Sequence, residues 1–125
     1  MSLTDALSHQ KYLNLETFRR TGEGVKTPVW FVQEGELLYV VTLASSGKAK
    51  RIRKHGLVNV APCRMNGQLV GSWGPALARE VTDPEVKARV DRLLDRKYGL
   101  MRKLFGGGRA GRGGENTVLE IKPQE

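Results

Sequence analysis

Between Ser45 and Lys54 the chain reads Ser-Ser-Gly-Lys-Ala-Lys-Arg-Ile-Arg-Lys, five cations without a single acid, placed after a small-residue turn that itself follows an apolar strand. Residues of these types at this spacing outline a phosphate site. A helix starting near Lys48 exposes unpaired backbone N–H groups and the positive end of its dipole, where acidic side chains are favoured. Lys48, Lys50 and Arg51 run against that preference. The repulsion is relieved if an anion sits at the helix start, where the N–H groups, the Ser45 or Ser46 hydroxyl and the cations converge on it. The competing reading is a solvated basic helix that buries only Ala49 and Ile52.

Other reactive constellations are missing from the sequence. No paired carboxylates, Ser-His-Asp set or Cys-His set stands out, so no protein acid or base can be named. Cys63 is the single cysteine. It can form no intrachain disulfide and no thiolate cluster, and after Val58, Val60 and Pro62 it reads as a small buried hydrophobe. His9 and His55 lie far apart and read as surface residues, without metal-ligand spacing.

The elements that must position the basic stretch are mostly strands. Tyr12 to Arg20 alternates apolar and polar residues before the turn cluster Thr21-Gly22-Glu23-Gly24. Val25 to Gln33 is rich in β-branched and aromatic residues, and Glu34-Gly35-Glu36 separates it from Leu37 to Leu43, which predicts a hairpin. Pro28 cannot donate to a ladder, which puts this second strand at an edge or a bulge and leaves its backbone open to a ligand. Gly56 then caps the basic helix, and Leu57 to Met65 forms a strand ending at the Asn66-Gly67 turn. Gln68 to Val81 returns as a strand bent at Gly71, Gly74 and Pro75. Asp83-Pro84-Glu85 opens an amphipathic helix with apolar residues at Val86, Val90, Leu93, Leu94, Met101, Leu104 and Phe105, stopped by Gly106. Lys87, Arg89, Arg92, Arg96 and Lys103 on its other face read as solvated surface or a second anion contact. Residues 106–114 read as a flexible Gly-rich loop, and Thr117 to Ile121 as a last strand. The sum is about six strands with one short and one long helix, a mainly β barrel or an α+β fold.

A chain of 125 residues with net charge +8, 39% hydrophobic and 27% charged, is the size of one folded domain, expected to span residues 1–125. Five of the excess cations sit in the one basic stretch, so the partner of that place is expected to be anionic. Met1 to Gln10 lacks the basic start and apolar core of a secretory signal, and the longest apolar run falls far short of a membrane span. A cytoplasmic protein that uses no membrane is expected.

The succession Thr27-Pro28-Val29-Trp30, an apolar strand ending near Thr42, Ser46-Gly47-Lys48-Ala49-Lys50-Arg51-Ile52-Arg53-Lys54, Val60-Ala61-Pro62-Cys63 and Tyr98-Gly99-Leu100 resembles the flavin and deazaflavin oxidoreductase superfamily. That superfamily has the pyridoxamine 5′-phosphate oxidase-like split barrel, and the nearest branch is that of small enzymes using the deazaflavin coenzyme F420. The resemblance implies a six-stranded split β-barrel with two peripheral helices, and a homodimer with cofactor at the subunit interface. It also implies that Ser46, Lys48, Lys50 and Arg51 bind the cofactor phosphate and that the Thr27-Pro28-Val29 backbone lines the ring, with Thr42 in the same cofactor-binding set. Trp30 or Trp73 offers an aromatic wall, or each belongs to the core.

Three functions stay open on the sequence. One is hydride transfer between F420, or FMN in its place, and an unidentified small organic substrate, the protein orienting a cofactor that carries the chemistry. Another is a cofactor carrier without turnover. The third is a basic barrel that binds nucleic acid, against which stand the 6% aromatic content and the placement of most aromatics in core patterns, since stacking platforms are the usual companions of such binding.

Overall fold

The computed structural model describes residues 2–99 and 115–124. In chain order the elements are α1 (Leu3–Leu7), β1 (Tyr12–Phe18), β2 (Gly24–Val29), β3 (Val32–Glu34), β4 (Leu37–Leu43), α2 (Gly47–Lys54), β5 (Leu57–Cys63), β6 (Gly74–Val81), α3 (Pro84–Tyr98) and β7 (Asn116–Pro123). The strands form one sheet in the order β2-β1-β5-β6-β7-β4-β3, antiparallel throughout.

That order requires a strongly curled sheet. β2 and β3 lie at opposite edges, yet only Trp30 and Phe31 separate them in sequence. Laid flat, seven strands put their outer edges about 29 Å apart. The three peptide steps from Val29 to Val32 span at most about 11 Å. The sheet therefore curls enough to bring the end of β2 near the start of β3, with no pairing between those two strands, and Trp30-Phe31 is the crossing from one edge to the other.

This crossing corrects the expected strand count. The predicted strand from Val25 to Gln33 divides into β2, which pairs with β1, and β3, which pairs with β4. Seven strands result where six were expected, and the predicted hairpin with β4 survives only in the three residues of β3. The bend is held from outside the segment: the Tyr98 hydroxyl accepts from the Phe31 N–H at 3.0 Å and lies 2.7 Å from the Lys11 carbonyl. Lys97 Nζ donates to the Phe31 carbonyl at 2.9 Å and sits 3.5 Å from the centre of the Phe31 ring. Trp30 stacks on Tyr98 at 4.4 Å.

The sequence predicts two peripheral helices, and the described residues contain three. The additional one, α1, is capped by Ser2 and Asp5 in a reciprocal capping box. It brings Leu7 into the barrel interior, beside Leu13, Leu15, Val40, Val60, Leu119 and Ile121 and beside Ala49 and Ile52 of α2. α3 packs on the outside, where Val90, Leu94 and Tyr98 meet Val32, Tyr39 and Val118. β4 thus buries both faces, which is why its sequence is a near-continuous apolar run. α3 ends at Tyr98 with Gly99 at φ 54°, short of the predicted stop at Gly106. The Gly-rich stretch 106–114 lies outside the described residues. β6 begins at Gly74, later than the predicted Gln68, although the Asn66-Gly67 turn stands as expected, with Gly67 at φ 90°. No helix among the described residues is long and apolar enough to cross a membrane.

Burial pushes the Lys97 ammonium pKa down to about 8. The unfolded chain therefore holds this proton between roughly pH 8 and 10.4 while the folded chain releases it, and the group's contribution to stability rises with pH across that window. Measured against the Lys97→Met variant by denaturant unfolding, the wild type gains relative stability from pH 8 to 10. A flat difference would place the ammonium in open water.

Candidate functional site

α2 starts where the sequence places it. Ser46 is its N-cap, its Oγ accepting from the Ala49 N–H at 3.3 Å and, at a longer 3.4 Å, from Thr42 Oγ1. The Ser46 hydroxyl hydrogen stays available to an anion, as do the N–H groups of Gly47 and Lys48, which have no partner within the helix. Ala49 and Ile52 anchor the inner face.

The cations of α2 divide into two kinds. Arg53 is structural: its Nε and Nη2 grip both carboxylate oxygens of Glu80 at 2.7 Å, and Nη2 also reaches the Ala44 carbonyl at 2.8 Å. Arg53 and Thr117, which donates to the same carboxylate, hold the Glu80 pKa down at about 2. Arg51, two residues earlier, has no carboxylate among the described residues. Its Nε donates to Thr17 Oγ1 at 2.7 Å. Burial first, and the charge of Arg19 second, push its pKa down. Lys48 is held below the ordinary lysine range by burial and then by the charge of Arg51. Lys48, Arg51 and Arg19 therefore make a row of mutually repelling cations.

A cavity of about 710 Å³ opens beside this row. Arg19, Arg20, Lys50, Arg51 and Lys54 line it together with His55, Phe18 and Gly22. Among the described residues, no carboxylate lines the cavity, and the one acid paired with any of these cations is Glu23, on Arg19 at 3.0 Å. Like charges assembled without counter-charge destabilise a fold unless an anion joins them. The cavity is thus chemically complementary to phosphate.

The β2 edge runs away from this cavity. Thr17, which holds Arg51, lies opposite Val25, and Thr27 and Val29 follow two and four residues along the same face of β2. At about 3.4 Å per residue they stand some 7 and 14 Å along the strand from Val25. β2 is an edge strand, as Pro28 predicts, so its outer backbone groups face no further strand. Trp73 is brought to the same strand, its ring 5.5 Å from Lys26 Nζ. Trp30 is committed to the stack on Tyr98.

Of the residues singled out in sequence, Lys50 and Arg51 line the cavity, Lys48 adjoins Arg51, and Ser46 and Thr42 form the cap. Thr27, Pro28 and Val29 lie along the strand beyond. Missing from the sequence reading of the site are Thr17, Phe18, Arg19 and Arg20; Lys54 belongs to the basic stretch singled out there, and His55, read as a surface residue, lines the cavity as well. The adjacent Arg19-Arg20 pair at the Thr21-Gly22 turn was a usable signal; Thr17 gave none, since its partner is 34 residues away. On α3, Lys87 and Arg89 are engaged by the protein itself, with the Asn116 carbonyl and Glu34.

No family model matches the chain, and no curated protein does. Solved structures share its fold. The heme storage protein HutZ from Vibrio cholerae aligns with a TM-score of 0.73 at 15% identity, over 100% of this chain and 92% of that one. An F420 reductase aligns at 0.71 and 16%, over 100% and 95%. A Listeria innocua protein put forward as a pyridoxamine 5′-phosphate oxidase aligns at 0.67 and 17%, over 97% and 90%. The fold is that of the pyridoxamine 5′-phosphate oxidase-like split-barrel proteins.

Proposed function

We propose that this protein is an oxidoreductase that binds a phosphate-bearing flavin or deazaflavin, coenzyme F420 before FMN, and moves a hydride between it and a small organic substrate. The observation that carries the reading is the pair Lys48 and Arg51 on α2, neither with a carboxylate partner among the described residues, beside the open β2 edge in a split barrel. Arg51, Lys48 and Lys50 hold the phosphate, with the Ser46 hydroxyl beside them. The backbone from Thr27 to Val29 supports the ring. Hydride chemistry belongs to the bound cofactor, and the chain's own residues fix its position and exclude water from one face of it. The same proposal includes a second copy of the chain against the face of β5 and β6 where Leu57 and Leu77, opposite each other in register, are 54% and 45% exposed.

The likeness to a heme storage protein calls for a comparison, because His55 lines the cavity. A macrocycle needs apolar walls, and Phe18 is the one large apolar side chain among the described lining residues. The cation set suits a phosphate better. Parallel titration of the purified protein with F420, FMN, hemin and a labelled single-stranded oligonucleotide at physiological salt decides the matter. Micromolar or tighter binding of F420 or FMN is expected. Binding of the oligonucleotide alone, collapsing as salt rises, would make the cations a nucleic-acid footprint.

A further inference from the structure

Arg51 and Arg53 lie two residues apart on α2 and are held in different ways. Arg53 spends both Nε and Nη2 on the Glu80 carboxylate. For Arg51, Nε is the one nitrogen bonded to the protein among the described residues, and its acceptor is a neutral hydroxyl, Thr17 Oγ1, on a residue only 2% exposed. The guanidinium also lies across the first turn of its own helix. A Cβ built on Gly47 would stand 2.7 Å from Nη1, so a side chain there would push the fork out of this position. Arginine carries five N–H donors in a planar fork. Pinning Nε from β1 and resting the plane over Gly47 leaves the four Nη hydrogens for the cavity that Arg51 lines.

We infer that Thr17 and Gly47 form a clamp that fixes the Arg51 fork for the cofactor phosphate, with Thr17 as the positioning residue. The inference rests on the cofactor reading above. Thr17 suits the task because a β-branched side chain on a strand has restricted χ1 and holds its oxygen in one place. A hydroxyl also orients the guanidinium without neutralising it, so the charge is kept for the ligand. A carboxylate at this position would compete with the phosphate.

The test uses Thr17→Val, which keeps the shape and removes the acceptor, and Thr17→Ser, which keeps the acceptor. Two readouts are followed. In the ligand-free protein, the Arg51 Nε–H resonance exchanges slowly in the wild type and in Thr17→Ser, and is lost to fast exchange in Thr17→Val. In binding, the preference for F420 or FMN over the same chromophore without its phosphate falls about tenfold in Thr17→Val, the cost of misplacing one charge-assisted hydrogen bond. It returns in Thr17→Ser, while affinity for the phosphate-free chromophore stays as in the wild type. Gly47→Ala lowers the same preference. An equal loss for both ligands, or a protected Nε–H in Thr17→Val, overturns the clamp. A wild type that binds both chromophores equally overturns the cofactor reading instead, and the Nε–H resonance then decides the clamp by itself.

Discussion

Replacing Arg51 by alanine lowers the affinity for F420 or FMN by about tenfold to a hundredfold and leaves the barrel folded. The magnitude follows from the loss of one charge-assisted hydrogen bond, roughly 1.5–3 kcal/mol. The fold survives because the structural role on α2 belongs to Arg53, which ties the helix to Glu80 and the Ala44 carbonyl. Arg51→Lys recovers only part of the affinity, since an ammonium keeps the charge without the planar fork. Lys48→Ala acts in the same direction, with one further effect: it removes a cation that Arg51 now repels. Equilibrium titration by cofactor fluorescence measures all three. Unchanged affinity in Arg51→Ala would move the phosphate away from α2.

Tyr98→Phe destabilises the protein by about 2–3 kcal/mol, a fall in Tm of roughly 5–10 °C. The hydroxyl is buried, with Tyr98 only 5% exposed. It serves the Phe31 N–H and the Lys11 carbonyl at once, and its pKa is raised by burial. Removing it strands the Phe31 N–H at the point where the chain crosses from one edge of the sheet to the other. The Phe31 carbonyl keeps Lys97 as a donor, which bounds the loss. Tyr98→Ala costs more, because it also removes the ring on which Trp30 stacks. Thermal unfolding reads both. A Tm within a degree of wild type in Tyr98→Phe would mean that water replaces the hydroxyl and that the crossing is held by packing alone.

These two residues mark where sequence reading stops. The local signals for the starts of α2 and α3 are accurate: Ser46 and Asp83 are the N-caps, and Pro84 opens the longer helix, whereas the ends fall at His55 and Gly99 and not at the expected Gly56 and Gly106. The edge position of β2 follows from Pro28, and the apolar run of β4 follows from burial on both faces. The break at Trp30-Phe31 has no such signal. Its residues have high strand propensity and contain neither Gly nor Pro, and the bend is imposed by Tyr98, 67 residues away. Short α1 carries a capping box at Ser2 but too few residues to show a helical period. The basic stretch announces an anion site, yet which of its cations bind and which brace the fold depends on Glu80 and Thr17, contributed by other strands. Charge is visible in sequence, whereas its compensation is a tertiary property.

The placement of the cofactor is tested most directly by a crystal structure of the complex with whichever of F420 or FMN binds more tightly. The expected result is a phosphate within about 3 Å of the Arg51 Nη atoms and the first N–H groups of α2, with the ring laid along Thr27 to Val29. A phosphate bound elsewhere, with Arg51 still turned to Thr17 and nothing against it, would contradict that assignment and return the basic stretch to a solvated helix face.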